Sequence, residues 1–311
     1  MIESKADDID IAVITEGIGD YALSAQPWIY YRDALLRRGI RIHLYRGGEE
    51  GFQRAFDAMI LHIWQDWANE EHFKPLRIMP VLERYAAYRA RYSQTVQIVL
   101  NHTDMSRRPY AIPYWRVGDP VLYRTPAYDR SELAPFPPET IWAYEKVWGE
   151  NCFSSTDPPL HQAGFIGTNS GPKGYRERVA AATARVGLSL CGETHAYPKA
   201  QHDALMARCQ ILVCPRGWGE NSRRHWDAWL SGKPVLTDRD CDSVEMIPGT
   251  RLRAGEHYLV FEEPDDIPDI VSDWTRPSRR DDLAEIAENG RRAAQSYNAL
   301  DRIAQFFQSI A

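Results

Sequence analysis

Residues 211–238 read ILVCPRGWGENSRRHWDAWLSGKPVLTD, and this stretch decides the fold class. Its first four residues, ILVC, form a short apolar run of the kind that builds the interior of a parallel sheet. PRGWGEN then breaks the run, and Gly217 and Gly219 permit backbone that other residues resist. Ser222 is placed to cap a helix predicted over 223–230, with Arg224 and Asp227 on its opening turns. Gly232 stops that helix, and PVLT at 234–237 returns the chain to the sheet. A loop and helix N-terminus at the carboxyl end of a parallel strand form a site for an anionic ligand.

Working outward, the same alternation continues on both sides. Upstream, strands are expected at 164–168 and 188–192, with helices over 175–186 and 198–209. Downstream come a strand at 257–261, a helix opening around Asp265, and closing helices from 281 onward. The N-terminal half alternates too: strands at 10–14, 40–45, 56–64 and 96–100, and helices over 26–38 and 77–92. Gly39 stops the first of these helices. Between 107 and 159 prolines cluster and periodicity weakens, so extended loops with one helix over 138–148 are expected. The implied class is α/β, with parallel sheets covered by helices. Two Rossmann-like domains are expected, 1–155 and 156–311.

At 311 residues, the chain is long enough for two cores. A 44% hydrophobic and 26% charged composition suits a globular protein, and the formal charge of -6 provides no basic field for nucleic acid. No apolar run approaches the roughly 20 residues that cross a bilayer. The N-terminal MIESKADDID lacks the features of a signal peptide. A cytoplasmic location is expected, with the membrane periphery as a second setting. The 5 cysteines, at 152, 191, 209, 214 and 241, form no CxxC pair and read as reduced structural thiols. The 10 tryptophans, among them Trp28, Trp64, Trp67, Trp115, Trp142 and Trp148, serve either packing or the stacking of sugar rings.

The pattern Ser222-x-Arg224-x-x-Asp227-Ala228, followed by Gly232-x-Pro234-Val235, resembles the donor-binding segment of GT-B glycosyltransferases, in particular the exostosin-like group. Asp227 stands where that group has Glu, and Trp229 replaces a small or aliphatic residue. The resemblance implies two Rossmann-like domains facing a cleft, with the amphipathic final helix at 300–310 crossing back to the first. It implies a glycosyltransferase that takes a nucleotide-sugar as substrate, a saccharide or other hydroxyl as acceptor, and no separate cofactor.

Residue by residue, Arg224 would meet the diphosphate and the charge on the departing nucleotide, because a guanidinium presents paired donors. Arg216 and Lys233 are weaker supporters. Asp227 lies on the same helix face and would accept the two ribose hydroxyls. Gly217, Glu220, Asn221 and Ser222 form the donor loop, and Glu220 would join an acidic pair in a retaining enzyme. Gly167 opens a loop that approaches the pyrophosphate, and His195 would contact the nucleobase or phosphate.

For the base of an inverting reaction the candidates are Asp20, after Gly17-Ile18-Gly19, and His102, with Asp104 to orient it. Asp238-x-Asp240-x-Asp242 resembles a DxD metal motif, but its position after the closing strand reads as a solvated acidic turn, so no metal site is expected. Two other functions remain open: a non-catalytic carbohydrate-binding scaffold, and a sugar-nucleotide epimerase.

Overall fold

Aliphatic runs punctuated by turn residues assemble into two five-stranded sheets. The computed structural model describes residues 9–15, 21–46, 49–63, 84, 86–88, 90–101, 121–124, 157–169, 174–192, 198–216, 223–243, 246–247, 250–297 and 299–310. The first sheet holds β1 (Ile9–Thr15), β2 (Ile40–Arg46), β3 (Ala58–Ile63), β4 (Val96–Asn101) and β5 (Val121–Arg124), in the order β2-β1-β3-β4-β5. The second holds β6 (His161–Thr168), β7 (Gly187–Gly192), β8 (Cys209–Val213), β9 (Val235–Asp238) and β10 (Leu259–Phe261), in the order β10-β9-β8-β6-β7. Every neighbouring pair in both sheets is parallel.

Parallel neighbours require crossovers, and four helices lie on them: α1 (Tyr21–Leu36), α2 (Tyr175–Ala184), α3 (Lys199–Ala207) and α4 (Arg223–Leu230); after β10 the chain continues as α5 (Ile267–Trp274), α6 (Arg280–Ser296) and α7 (Ala299–Ile310). Two of the expected stops are glycines in the left-handed region, Gly39 at φ 75° and Gly232 at φ 65°. At the second, Lys233 N–H reaches Ala228 O at 3.0 Å and Gly232 N–H reaches Trp229 O at 2.9 Å, the paired bonds of a Schellman end.

The expected α/β architecture is present, with local differences. Helix α1 starts at Tyr21 rather than at 26, so Pro27 lies inside it instead of opening it. The proline has no N–H to donate, and the helix passes through it because Trp28, Tyr31 and Leu35 bury one face. Strand β5 falls within the stretch read as loops. Its four residues VLYR are too few for a period-two signal, and an edge strand tolerates the flanking Pro120 and Pro126. The helix expected over 138–148 lies outside the described residues.

The last helix crosses back to the first unit. Phe307 of α7 meets Trp28 of α1 with ring centroids 6.3 Å apart, and both side chains are buried. Arg38 and Asp301 add an exposed ion pair at 2.5 Å, a minor contribution beside the rings. One apolar cluster therefore runs from Ile11 and Val13 through Trp28 and Phe307 to Trp226 and Trp229. Trp28 thus packs and stacks no sugar, whereas Trp64, Trp67, Trp115, Trp142 and Trp148 lie outside the described residues. A second cluster, with Phe165, Ile211, Val213 and Leu236, fills the other face of the second sheet. No helix among the described residues is long and apolar enough to cross a membrane.

A small polar cluster fastens the start of β1. Asp57 Oδ2 accepts the Asp10 N–H at 2.7 Å, while the Asp10 carboxylate meets His43 Nε2 at 3.1 Å and Arg41 and Arg54 at 3.3 Å each. Burial pulls this carboxyl upward, but the His43 hydrogen bond and the charges of His43, Arg54 and Arg41 outweigh it, so its pKa is lowered. An acid lowered on folding adds stability above the ordinary carboxylate range, about 3.9, and loses it as pH falls through the folded value. Asp10→Asn is therefore expected to destabilise by about 1 kcal/mol near neutral pH and by almost nothing in strong acid. Thermal melts at both pH values check this, and an equal loss at both would contradict the ion-pair account.

Candidate donor site

The helix expected over 223–230 forms over those residues as α4. It follows β8, and its first turn brings Arg224 to the carboxyl end of β6. The Arg224 guanidinium carbon lies 5.1 Å from the centroid of the Phe165 ring. Gly167, two residues further along β6, leaves the remaining space: a Cβ there would sit 2.5 Å from Arg224 Nη2. Arg224 Nη1 is sealed from solvent and has no hydrogen-bond partner among the described residues. Burial lowers the Arg224 pKa, and Cys214, Asp227 and Cys191 oppose that shift. Despite the Asp227 charge nearby, Nη1 is therefore a buried donor without an acceptor among the described residues.

Asp227, three residues on, is buried on the same helix. The opposite side of α4 carries Trp226 and Trp229, both almost fully buried. Trp226 meets Trp229 edge-on at 6.4 Å and Tyr297 at 5.9 Å. These rings root α4 in the core, so Arg224 and Asp227 project from a fixed helix.

The chain that leaves β8 toward α4 is pinned at Arg216. Asp238 Oδ2 accepts the Arg216 N–H at 2.7 Å, and Asp240 pairs with the Arg216 guanidinium. That guanidinium also lies 5.1 Å from the centroid of the Tyr175 ring. Arg176, itself buried, donates Nε to Arg216 O at 3.0 Å and Nη1 to Thr168 O at 3.1 Å, tying the ends of β6 and β8 together. Burial raises the Asp238 pKa against the Arg216 N–H, the Arg216 charge and the Tyr175 hydroxyl. Burial likewise pushes the Tyr175 phenol upward, with the Asp238 charge adding to it.

These contacts correct two sequence expectations. Asp238 is not part of a solvated turn but is 4% exposed and fastens the loop. Lys233 is no phosphate ligand: its Nζ donates to Ala207 O at 2.8 Å and Cys209 O at 2.9 Å, stapling the end of α3 to the start of β8. Arg216, the other supporter, is taken up by Asp240 and Tyr175. Among the described residues no group of three or more His, Cys, Asp or Glu side chains could hold a metal ion.

Beneath α4 lies a network that the sequence reading missed. His225, with no exposed surface, meets Thr237 Oγ1 at 2.9 Å, and Thr237 Oγ1 donates to Cys214 O at 2.8 Å. With the threonine proton committed to that carbonyl, His225 Nε2 is the donor of the pair. Cys214, beside it, is buried and its thiol is pushed up to about 12, mainly by burial. Cys191, Cys209, Cys214 and Cys241 are all free thiols, as expected, and Cys152 lies outside the described residues. The position of His225, directly after Arg224 on an amphipathic helix, was the available signal for a buried histidine.

Of the site residues expected from sequence, the structure brings Arg224 and Gly167 into contact and sets Asp227 on the same helix as Arg224. Asp20, His102, His195, Gly217, Glu220, Asn221 and Ser222 lie outside the described residues, as do Asp104, Gly17 and Gly19.

Two parallel-sheet units and a last helix folded back on the first have the GT-B fold, with the half-buried Arg224 at the head of the second sheet. More particularly, residues 171–309 match the model of the family described as glycosyl transferase-like. The exostosin-like likeness rests on the motif residues.

The chain is similar to the catalytic domain of starch synthase IV from Arabidopsis thaliana, bound to ADP and acarbose, at TM-score 0.56 and 10% identity over 98% of this chain and 99% of that one. It is also similar to an alpha1,3-fucosyltransferase with GDP, at TM-score 0.51 and 11% identity over 100% of this chain and 92% of that one. Sucrose-phosphate synthase from Thermosynechococcus elongatus is similar at TM-score 0.50 and 11% identity, over 97% of this chain and 98% of that one. No curated protein matches the chain.

Proposed function

We propose that the chain transfers a glycosyl group from a nucleoside-diphosphate sugar to a saccharide or other hydroxyl acceptor. The donor binds in the domain 156–311 and the acceptor enters from the domain 1–155. The observation that carries this reading is the sealed Nη1 of Arg224, unpartnered among the described residues, which an oxygen of the diphosphate would satisfy. As the anomeric carbon–oxygen bond breaks, negative charge grows on the departing nucleoside diphosphate, and a fixed guanidinium stabilises it without reorganising.

Asp227 accepts the ribose hydroxyls in this reading, and Gly217, Glu220, Asn221 and Ser222 supply the loop around the phosphates. His195 contacts the nucleobase or phosphate. The acceptor hydroxyl attacks the anomeric carbon, and in an inverting reaction, the one favoured here, Asp20 or His102 takes its proton. In a retaining reaction Glu220 gains the larger role. Asp238 and Asp240 are engaged with Arg216, so the diphosphate charge is met by Arg224 rather than by an ion held on those two.

Thermal melts with UDP, GDP and ADP test the reading. A nucleotide in hundredfold excess over its Kd adds about 2.7 kcal/mol of stability, so one of the three is expected to raise the Tm by several degrees. No shift with any of them, in a folded protein, would turn the reading to a carbohydrate-binding protein without turnover. Conversion of the donor to an isomer without acceptor would identify an epimerase.

A further inference from the structure

We infer that Gly167 is a positioning residue for Arg224, and that its missing side chain is the space in which the guanidinium lies. This rests on the reading of Arg224 as the donor-phosphate ligand. The sequence predicts a strand over 164–168, with Gly167 opening a loop that approaches the pyrophosphate. The strand is present as β6, where Gly167 is paired in register with Cys191 of β7. A Cβ at this position would lie 2.5 Å from Arg224 Nη2, 3.3 Å from Arg224 Cζ and 3.2 Å from Phe165 Cε2. The first distance is far inside van der Waals contact, so one of the two groups would have to move.

The neighbouring atoms decide which. The closest is the far end of a long side chain, not backbone. Gly167 is also absent from the positive-φ glycines of the described residues, so alanine meets no strain in its own backbone. Gly187 makes the contrast: a Cβ there would lie 2.0 Å from the carbonyl oxygen of Ala163, where only the backbone could give way. At Gly167 the guanidinium yields instead, leaving the Phe165 ring and the fork orientation that paired phosphate contacts need. Gly167 thus acts through Arg224 and sets where the cation points.

The test is a double-mutant cycle on nucleotide binding, with UDP, GDP and ADP as probes and the Tm of each free protein recorded alongside. Gly167→Ala is expected to keep the fold and to weaken binding of the stabilising nucleotide by about tenfold or more, the scale of one charge-assisted hydrogen bond. In an Arg224→Ala background it should weaken binding no further.

Wild-type affinity in Gly167→Ala would overturn the inference, as would an undiminished loss in the Arg224→Ala background, which would mean that Gly167 touches the nucleotide itself. Should Gly167→Ala fail to fold, Gly167→Ala/Arg224→Lys decides, because lysine has no Nη2 to meet the new methyl. A folded double variant attributes the failure to the guanidinium, and an unfolded one overturns the inference. If Arg224→Ala alone leaves nucleotide binding intact, the phosphate reading itself falls, which is a separate result from any of these.

Discussion

Arg224→Ala is expected to lower kcat/KM for glycosyl transfer by about 10²–10³-fold, the scale of removing one preorganised donor from developing charge. The same change should leave the free protein as stable as before, or more stable. Nη1 of Arg224 is sealed without a partner among the described residues, and a buried unsatisfied donor costs about 1–3 kcal/mol in the absence of ligand. The Phe165 ring, 5.1 Å from the guanidinium carbon, returns part of that through cation–π attraction, about 0.5–2 kcal/mol. The two nearly cancel, so the arginine contributes little to folding, as expected of a residue kept for the proposed ligand.

Arg224→Met separates the two roles better, since it keeps the packing volume and removes the charge. Its Tm should match or exceed that of the wild type while nucleotide binding is lost. Arg224→Lys should recover only part of the rate, because a single ammonium cannot present two parallel donors. Steady-state kinetics with calorimetric melts on these three variants measure both effects. Full activity in Arg224→Met would falsify the charge-stabilising role.

The helix that carries this arginine was legible because its signals are local. Its start and end follow from the turn residues before 223 and from Gly232, and the left-handed φ of that glycine matches the stop it was read as. The alternation of apolar runs with helix-length segments sufficed for the parallel sheets. What stayed hidden depends on strand order. Gly167 and Arg224 are far apart in the chain and meet only because β6 lies beside β8 in the second sheet. Asp238 looked like a solvated acid because it follows the strand that closes the unit. Only the fold shows that the Arg216 N–H and the Tyr175 hydroxyl reach its carboxylate. The same limit hid His225, whose partner Thr237 stands on the next strand. Side-chain networks between strands carry no periodic mark in a sequence, whereas caps and apolar runs do.

Trp229 departs from the small residue of the resembled motif, and the structure explains how the fold accepts it. Its ring occupies the space over Gly290 of α6, where a Cβ would lie 2.5 Å from Trp229 Cδ1 and 2.8 Å from His257 O. The indole is 1% exposed and sits beside Trp226, which meets Tyr297. Trp229→Ala is therefore expected to cost about 3–5 kcal/mol, through lost burial and a cavity that α6 cannot close without moving. Gly290→Ala should also destabilise, by about 1–3 kcal/mol, although alanine is the better helix former.

The two losses should not add. With the indole gone, one of the two clashes at residue 290 is relieved, so the double variant should be more stable than the sum predicts. Denaturant unfolding of the four proteins measures this coupling, and strict additivity would show that Trp229 and Gly290 do not share the space. Function should follow the packing. Because α4 is rooted through these rings, Trp229→Ala should weaken nucleotide binding even at temperatures where the variant is fully folded, by loosening the helix that aims Arg224.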